Sequence, residues 1–183
     1  MTTSTIYLIR HATPDWTRTD IPYHLPPGPP LTLPGEEEAN HLGAYLRKVG
    51  VSRLFSSPLE RCLRTAHIVA AHTGLAVEIE SGLSEMQPNE KSEAVHARLW
   101  PVWQMATAHA DSGPVALITH GGPIALLLAE LGLAPEALNH YKRLFDRSNP
   151  LPPAGAWQTT RNGGDWQLTL TFTPGQYRAK LFV

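Results

Sequence analysis

Residues 5–9, TIYLI, form a short apolar, β-rich run that stops at the charged pair Arg10-His11. An apolar run of that length, without alternation, reads as a strand buried on both faces of a parallel sheet. From Glu36 the period becomes helical: Ala39, Leu42, Leu46 and Val49 share one face, and Gly50 supplies a stop. Val51 to Phe55 reads as a second strand. Leu59 to Thr73 reads as a helix with Leu59, Leu63, Ala66 and Ala70 inward, ended by Gly74. Residues 75–79 form a third short strand, and residues 90–110 look helical, with Pro101 expected to kink or divide them. PVALIT at 114–119 is another buried strand, ending at His120. Gly121-Gly122 follow, and Pro123 to Leu131 is a short apolar helix stopped by Gly132. Residues 156–161 and 165–172 alternate in character around Asn162-Gly163-Gly164, a hairpin signal.

Strands alternating with helices and followed by a hairpin predict an α/β fold: a three-layer α/β/α sandwich with a mainly parallel central sheet and a C-terminal hairpin. A length of 183 residues suits one domain spanning 1–183. Residues 20–35 hold six of the 17 prolines, so they are expected to be irregular, and 17–35 is read as a proline-rich loop or lid.

Composition narrows the function. The formal net charge of -1 provides no global basic field, so neither nucleic acid nor a membrane surface is an expected partner, and any anion site must be local. A single cysteine, Cys62, excludes an internal disulfide framework and a multi-cysteine metal site, and it reads as a buried small residue. MTTSTIYLIRHATPDW has no basic leader region and only a short apolar run, so it reads as neither signal peptide nor membrane span. A cytoplasmic location is the default expectation. A homodimer is compatible with the sequence.

In open α/β sheets, ligands sit at the carboxyl ends of the strands. Three such ends carry cationic or polar residues here: Arg10-His11, then Ser56-Ser57-Pro58 leading to Arg61, then His120-Gly121-Gly122 at a helix start. Guanidinium forks, imidazoles and a helix N-terminus converging on one crevice suit a tetrahedral oxyanion. There is no Walker glycine loop and no evident carboxylate cluster for magnesium. The nine histidines show no zinc spacing such as HExxH. No metal and no cofactor are therefore expected. His24, inside the proline-rich loop, is a candidate substrate contact, as is Arg18.

These segments resemble the histidine phosphatase superfamily, also called the phosphoglycerate mutase-like family. The resemblance rests on Leu8-Ile9-Arg10-His11-Ala12, on Pro30-Leu31-Thr32 with Gly35 and Ala39, and on the long run Ser56 to Ala66. Leu83-Ser84-Glu85 and Thr119-His120-Gly121-Gly122 complete it, in the family's order. The resemblance implies that His11 is a nucleophile phosphorylated in turnover. It implies that Arg10, Arg61, His120 and Gly121 hold the phosphoryl group, and that Glu85 is the general acid and base. Ala12 stands where the family has glycine. Thr17 stands where asparagine commonly touches phosphate, and is the candidate for that contact.

The implied activity is metal-independent hydrolysis of a phosphomonoester of a small soluble metabolite, by a phosphoric monoester hydrolase. Two rivals stay open at this point. One is phosphoglycerate mutase-type transfer, which uses the same core. The other is a weakly catalytic regulator that binds a phosphorylated ligand.

Overall fold

The computed structural model describes residues 3–177. Six strands form one sheet in the order β3-β2-β4-β1-β5-β6. These are β1 (Ser4–Arg10), β2 (Arg53–Ser56), β3 (Val77–Ile79), β4 (Val115–Thr119), β5 (Ala156–Arg161) and β6 (Gln167–Phe172). β3, β2, β4 and β1 pair in parallel, while β5 and β6 add an antiparallel hairpin beside β1. The helices are α1 (Leu33–Lys48), α2 (Glu60–Thr73), α3 (Ser92–Ala110), α4 (Gly121–Glu130) and α5 (Pro135–Leu144). The sandwich and its C-terminal hairpin match the expected architecture.

The unalternating apolar strands work as two-faced spacers. In β1, Ile6 and Leu8 enter a core shared with Leu99 and Trp103 of α3 and Leu127 of α4. Tyr7 and Ile9 enter the opposite core with Leu42 of α1 and Val69 of α2. β4 repeats the division, with Val115 and Leu117 on one side and Ala116 and Ile118 on the other. Helices therefore must cover both faces, and the polar strand ends are left to form a crevice.

Three local readings differ from the structure. α1 begins at Leu33, not Glu36, so the last part of the proline-rich stretch is helical. Pro34 is tolerated in the first turn, where its missing N–H has no partner to lose, and the Thr32 hydroxyl caps the Gly35 amide. Pro101 does not divide α3. It lies on the exposed side, while Leu99, Val102 and Trp103 bury beside it, and that packing outweighs one lost hydrogen bond. α5 was not anticipated at all; none of its residues is fully buried, and Leu138 and Tyr141 pack on the core only in part.

Candidate active site

Sheet register brings the polar ends together. Arg10 lies beside Thr119, and Ser56 lies beside Ile118. One further pair of hydrogen bonds carries the ladder past each strand end. The His11 amide donates to Thr119 O (3.0 Å), and the Ser57 amide donates to Ile118 O (2.9 Å). His11, Ser57 and His120 are thus adjacent because β1, β4 and β2 are adjacent. Among the described residues, His11, Glu85 and His120 each present a ligating atom, and these atoms lie within 4.8 Å of one another.

His11 is buried, and its Nδ1 is 2.8 Å from Ala12 O. A carbonyl only accepts, so Nδ1 carries the proton and Nε2 keeps its lone pair. Burial, then Arg61 and Arg10, hold its pKa well below the ordinary imidazole value. The ring is neutral and nucleophilic at neutral pH.

His120 shows the opposite tautomer. Arg61 Nη2, which can only donate, is 3.1 Å from His120 Nδ1, so Nε2–H donates to Ser57 Oγ at 2.8 Å. Burial and Arg61 also hold this imidazole well below its ordinary pKa. His120 is the N-cap of α4 and no side chain caps that helix, so the amides of its first turn, Gly121 included, remain available to an anion. Gly121 has no room for a side chain, because a Cβ there would collide with Asn149 Oδ1.

Arg61 is fully buried in the first turn of α2. Nη1 donates to Tyr23 O at 2.9 Å, Nη2 lies 3.6 Å from Glu85 Oε2, and the Tyr23 ring sits 4.0 Å above the guanidinium. Its Nε and His24 Nδ1 are the two buried side-chain polar atoms with no protein partner among the described residues. A buried guanidinium with an orphaned N–H is the donor set an oxyanion would satisfy.

Glu85 follows a 3₁₀ turn after β3, and its carboxylate is 12% exposed. Burial raises its pKa, opposed chiefly by Arg61. Its placement depends on Arg98 of α3, a residue the sequence did not mark. Arg98 donates to the carbonyls of Gly82 and Ser84 (2.8 Å each) and Glu85 (3.2 Å). The same guanidinium pairs with Glu90 at 2.8 Å, so that nearby carboxylate is committed and its pKa is lowered.

Arg10 is also buried, but both terminal nitrogens bond Asp146. Thr17 is not joined to this cluster by any hydrogen bond: it is exposed, and its hydroxyl donates to Asp15 Oδ1 at 2.6 Å. Arg18 pairs with Asp20 on the surface. Residues 17–32 are irregular, and part of this loop covers Arg61 through Tyr23 and through Pro27, whose carbonyl accepts from the Glu60 amide at 2.7 Å. Cys62 is buried against His120, and burial pushes its thiol pKa up to about 12, so it is inert.

The His11, Glu85 and His120 atoms could also surround a metal ion. The Arg61 guanidinium beside two of them opposes a dication and favours an anion. No helix among the described residues is long and apolar enough to cross a membrane.

Comparison with known proteins adds three findings. Residues 6–90 match the histidine phosphatase superfamily (branch 1). The probable phosphoglycerate mutase GpmB of Salmonella arizonae is 33% identical over 81 residues, which is 44% of this chain and 37% of that protein. The match therefore spans little more than a third of the relative. The fold is shared with solved structures. A mycobacterial glucosyl-3-phosphoglycerate phosphatase superposes with a TM-score of 0.74 at 21% identity, covering 92% of this chain and 98% of its own. Phosphoglycerate mutase from Bacillus anthracis str. Sterne superposes with 0.76 at 17% identity, covering 98% and 96%.

Proposed function

We propose that this chain is a metal-independent phosphatase acting on a phosphomonoester of a small metabolite through a phosphohistidine on His11, a reading supported by the match of residues 6–90 to the histidine phosphatase superfamily. The observation that carries this reading is the His11–Ala12 hydrogen bond, which leaves Nε2 as a lone-pair nucleophile among Arg61, His120 and Glu85.

In the first step His11 Nε2 attacks phosphorus. The N–P bond forms as the ester P–O bond breaks, and Glu85 gives its proton to the leaving oxygen. Arg61, Arg10 and the α4 amides stabilise the equatorial oxygens. In the second step water attacks phosphorus, Glu85 takes its proton, the N–P bond breaks and phosphate leaves. His120, neutral before binding, must gain a proton at Nδ1 to donate to a phosphoryl oxygen, and a phosphate dianion beside it favours that protonation.

The relatives named as mutases favour a second reading, transfer of the phosphoryl group back to an organic hydroxyl. Trapping and product analysis separate the two. An alkaline detergent quench of a burst with a ³²P-labelled monoester should trap label on His11 that survives base and is released by acid, absent in His11→Ala. Inorganic phosphate should be the product, and turnover should persist under excess chelator. Label on another histidine, or activity lost to chelator and restored by a divalent ion, would overturn the proposal.

A further inference from the structure

A groove of about 890 Å³ opens beside the carboxyl site. It starts at Gly122 and Met86. A side chain at Gly122 would lie 3.5 Å from Glu85 Oε1, so the absence of one leaves the carboxyl end open to the groove. From there it follows one face of α4 through Ala125, Leu126 and Ala129, spacings of three and four residues that line up on a helix. Leu138 of α5 forms part of the opposite wall. The floor is therefore apolar over most of the helix. The rim carries Glu93 of α3 and Glu130 of α4 against Lys142, with His96 Nε2 3.8 Å from Glu130 Oε1.

Resting on the phosphatase reading above, we infer that this groove holds the alcohol part of the substrate, and that this part is a neutral, mainly apolar aryl or alkyl group. Three features carry the inference. The proton from Glu85 goes to the leaving oxygen, so the leaving group lies on the Glu85 side of phosphorus. That side opens into the groove. Of the rim carboxylates, Glu130 faces His96 while Glu93 adds a second negative charge against the single Lys142, so phosphoglycerates and bisphosphates fit the groove less well than a neutral group.

The test uses substrates matched in leaving-group chemistry. 1-Naphthyl phosphate is compared with phenyl phosphate, and 2-phenylethyl phosphate with glycerol 1-phosphate. The larger apolar member of each pair should have a kcat/KM at least about tenfold higher, the scale that a few buried methylene equivalents give in a pocket. 3-Phosphoglycerate should be poorer than 2-phenylethyl phosphate. Ala125→Phe and, at an exposed position, Ala129→Phe should narrow the apolar ratio by about tenfold. Glu93→Lys with Glu130→Lys should raise the relative kcat/KM for 3-phosphoglycerate several-fold. If monoesters are hydrolysed but the ratios stay near one, and the groove variants leave them unchanged, the groove assignment is wrong while the phosphatase reading stands. If no monoester is hydrolysed, the phosphatase reading itself fails and the groove assignment falls with it.

Discussion

Asp146 grips Arg10 bidentately, with 2.8 Å from Nη1 to Oδ1 and 3.0 Å from Nη2 to Oδ2. The arginine at the end of β1 is 2% exposed and the aspartate 35%. The pair joins the first strand to a turn 136 residues later. That turn bends through Arg147 and Ser148, both with positive φ, a conformation that costs non-glycine residues about 1–3 kcal/mol each. Contacts on either side hold it. Arg147 stacks 3.5 Å from the Trp16 ring, and the Asn149 side-chain amide donates to Asp146 O.

Asp146→Ala should leave a buried guanidinium without its partner and lower unfolding stability by about 1–3 kcal/mol. The loss should shrink when millimolar phosphate or vanadate is added, because an anion in the crevice supplies the missing charge. Denaturant midpoints with and without phosphate measure this. A variant destabilised equally in both conditions would place Arg10 out of reach of the anion.

Stability should fall on mild acidification. In the folded, ligand-free protein His11 and His120 titrate well below the ordinary value of about 6.5, which the unfolded chain keeps. Below that pH the unfolded state binds more protons than the folded state, so the stability their neutral burial allows above pH 6.5 is lost as pH drops through it. Each histidine contributes a slope of at most about 1.4 kcal/mol per pH unit. Glu85 acts with the opposite sign. Its raised pKa makes the folded state hold the extra proton from the ordinary glutamate value upward, which offsets part of the slope there. Urea unfolding of wild type and His11→Ala between pH 7 and pH 5 should show a shallower slope in the variant. Equal slopes would mean that His11 is not buried neutral.

Arg61→Ala should reduce kcat/KM by at least about tenfold, since one charge-assisted contact is worth about 1.5–3 kcal/mol and each decade of rate about 1.4. The same change unseats the loop, because Arg61 carries both the Tyr23 carbonyl and its ring. Arg61→Lys keeps the charge but not the fork, and should recover only part of the loss. Wild-type kinetics in Arg61→Ala would remove it from the phosphoryl pocket.

How much of this was legible in the sequence follows from where each signal lies. Strands β1 and β4 announce themselves as apolar runs ending abruptly in charge, and that ending also marks the crevice. His11, Arg61 and His120 were readable because each follows a strand end, and Glu85 through the family resemblance. Asp146 was not, for its partner is 136 residues away and nothing local distinguishes it from a surface aspartate. Arg98 reads as an ordinary helix arginine until its donors are seen on three backbone carbonyls, those of Gly82, Ser84 and Glu85. α5 escaped notice because a half-exposed helix needs only a few partly buried side chains. Thr17 is the converse case: the family pattern names the position, and here it is exposed and bonded to its own neighbour Asp15.

The final prediction concerns Glu85 as acid. Its carboxyl is largely buried, which raises its pKa, and it stands within 4.8 Å of the His11 and His120 ring nitrogens. Two rival carboxylates are engaged elsewhere, Glu90 by Arg98 and Asp15 by Thr17. An alkoxide leaves poorly unless protonated as the P–O bond breaks, whereas a nitrophenolate leaves without help. Glu85→Gln should therefore slow the phosphorylation step with an alkyl phosphate by about 10²–10⁴, the range for general acid–base catalysis. With p-nitrophenyl phosphate the burst should be nearly retained, while steady-state turnover drops because water attack on phosphohistidine lacks its base. pH supplies a second reading. The acid must be protonated for the first step, so kcat/KM for the alkyl ester should decline as pH rises through the raised pKa of Glu85. That decline should vanish in Glu85→Gln, since an amide does not titrate. A burst depressed equally for both leaving groups, with the decline intact, would assign the proton to another group.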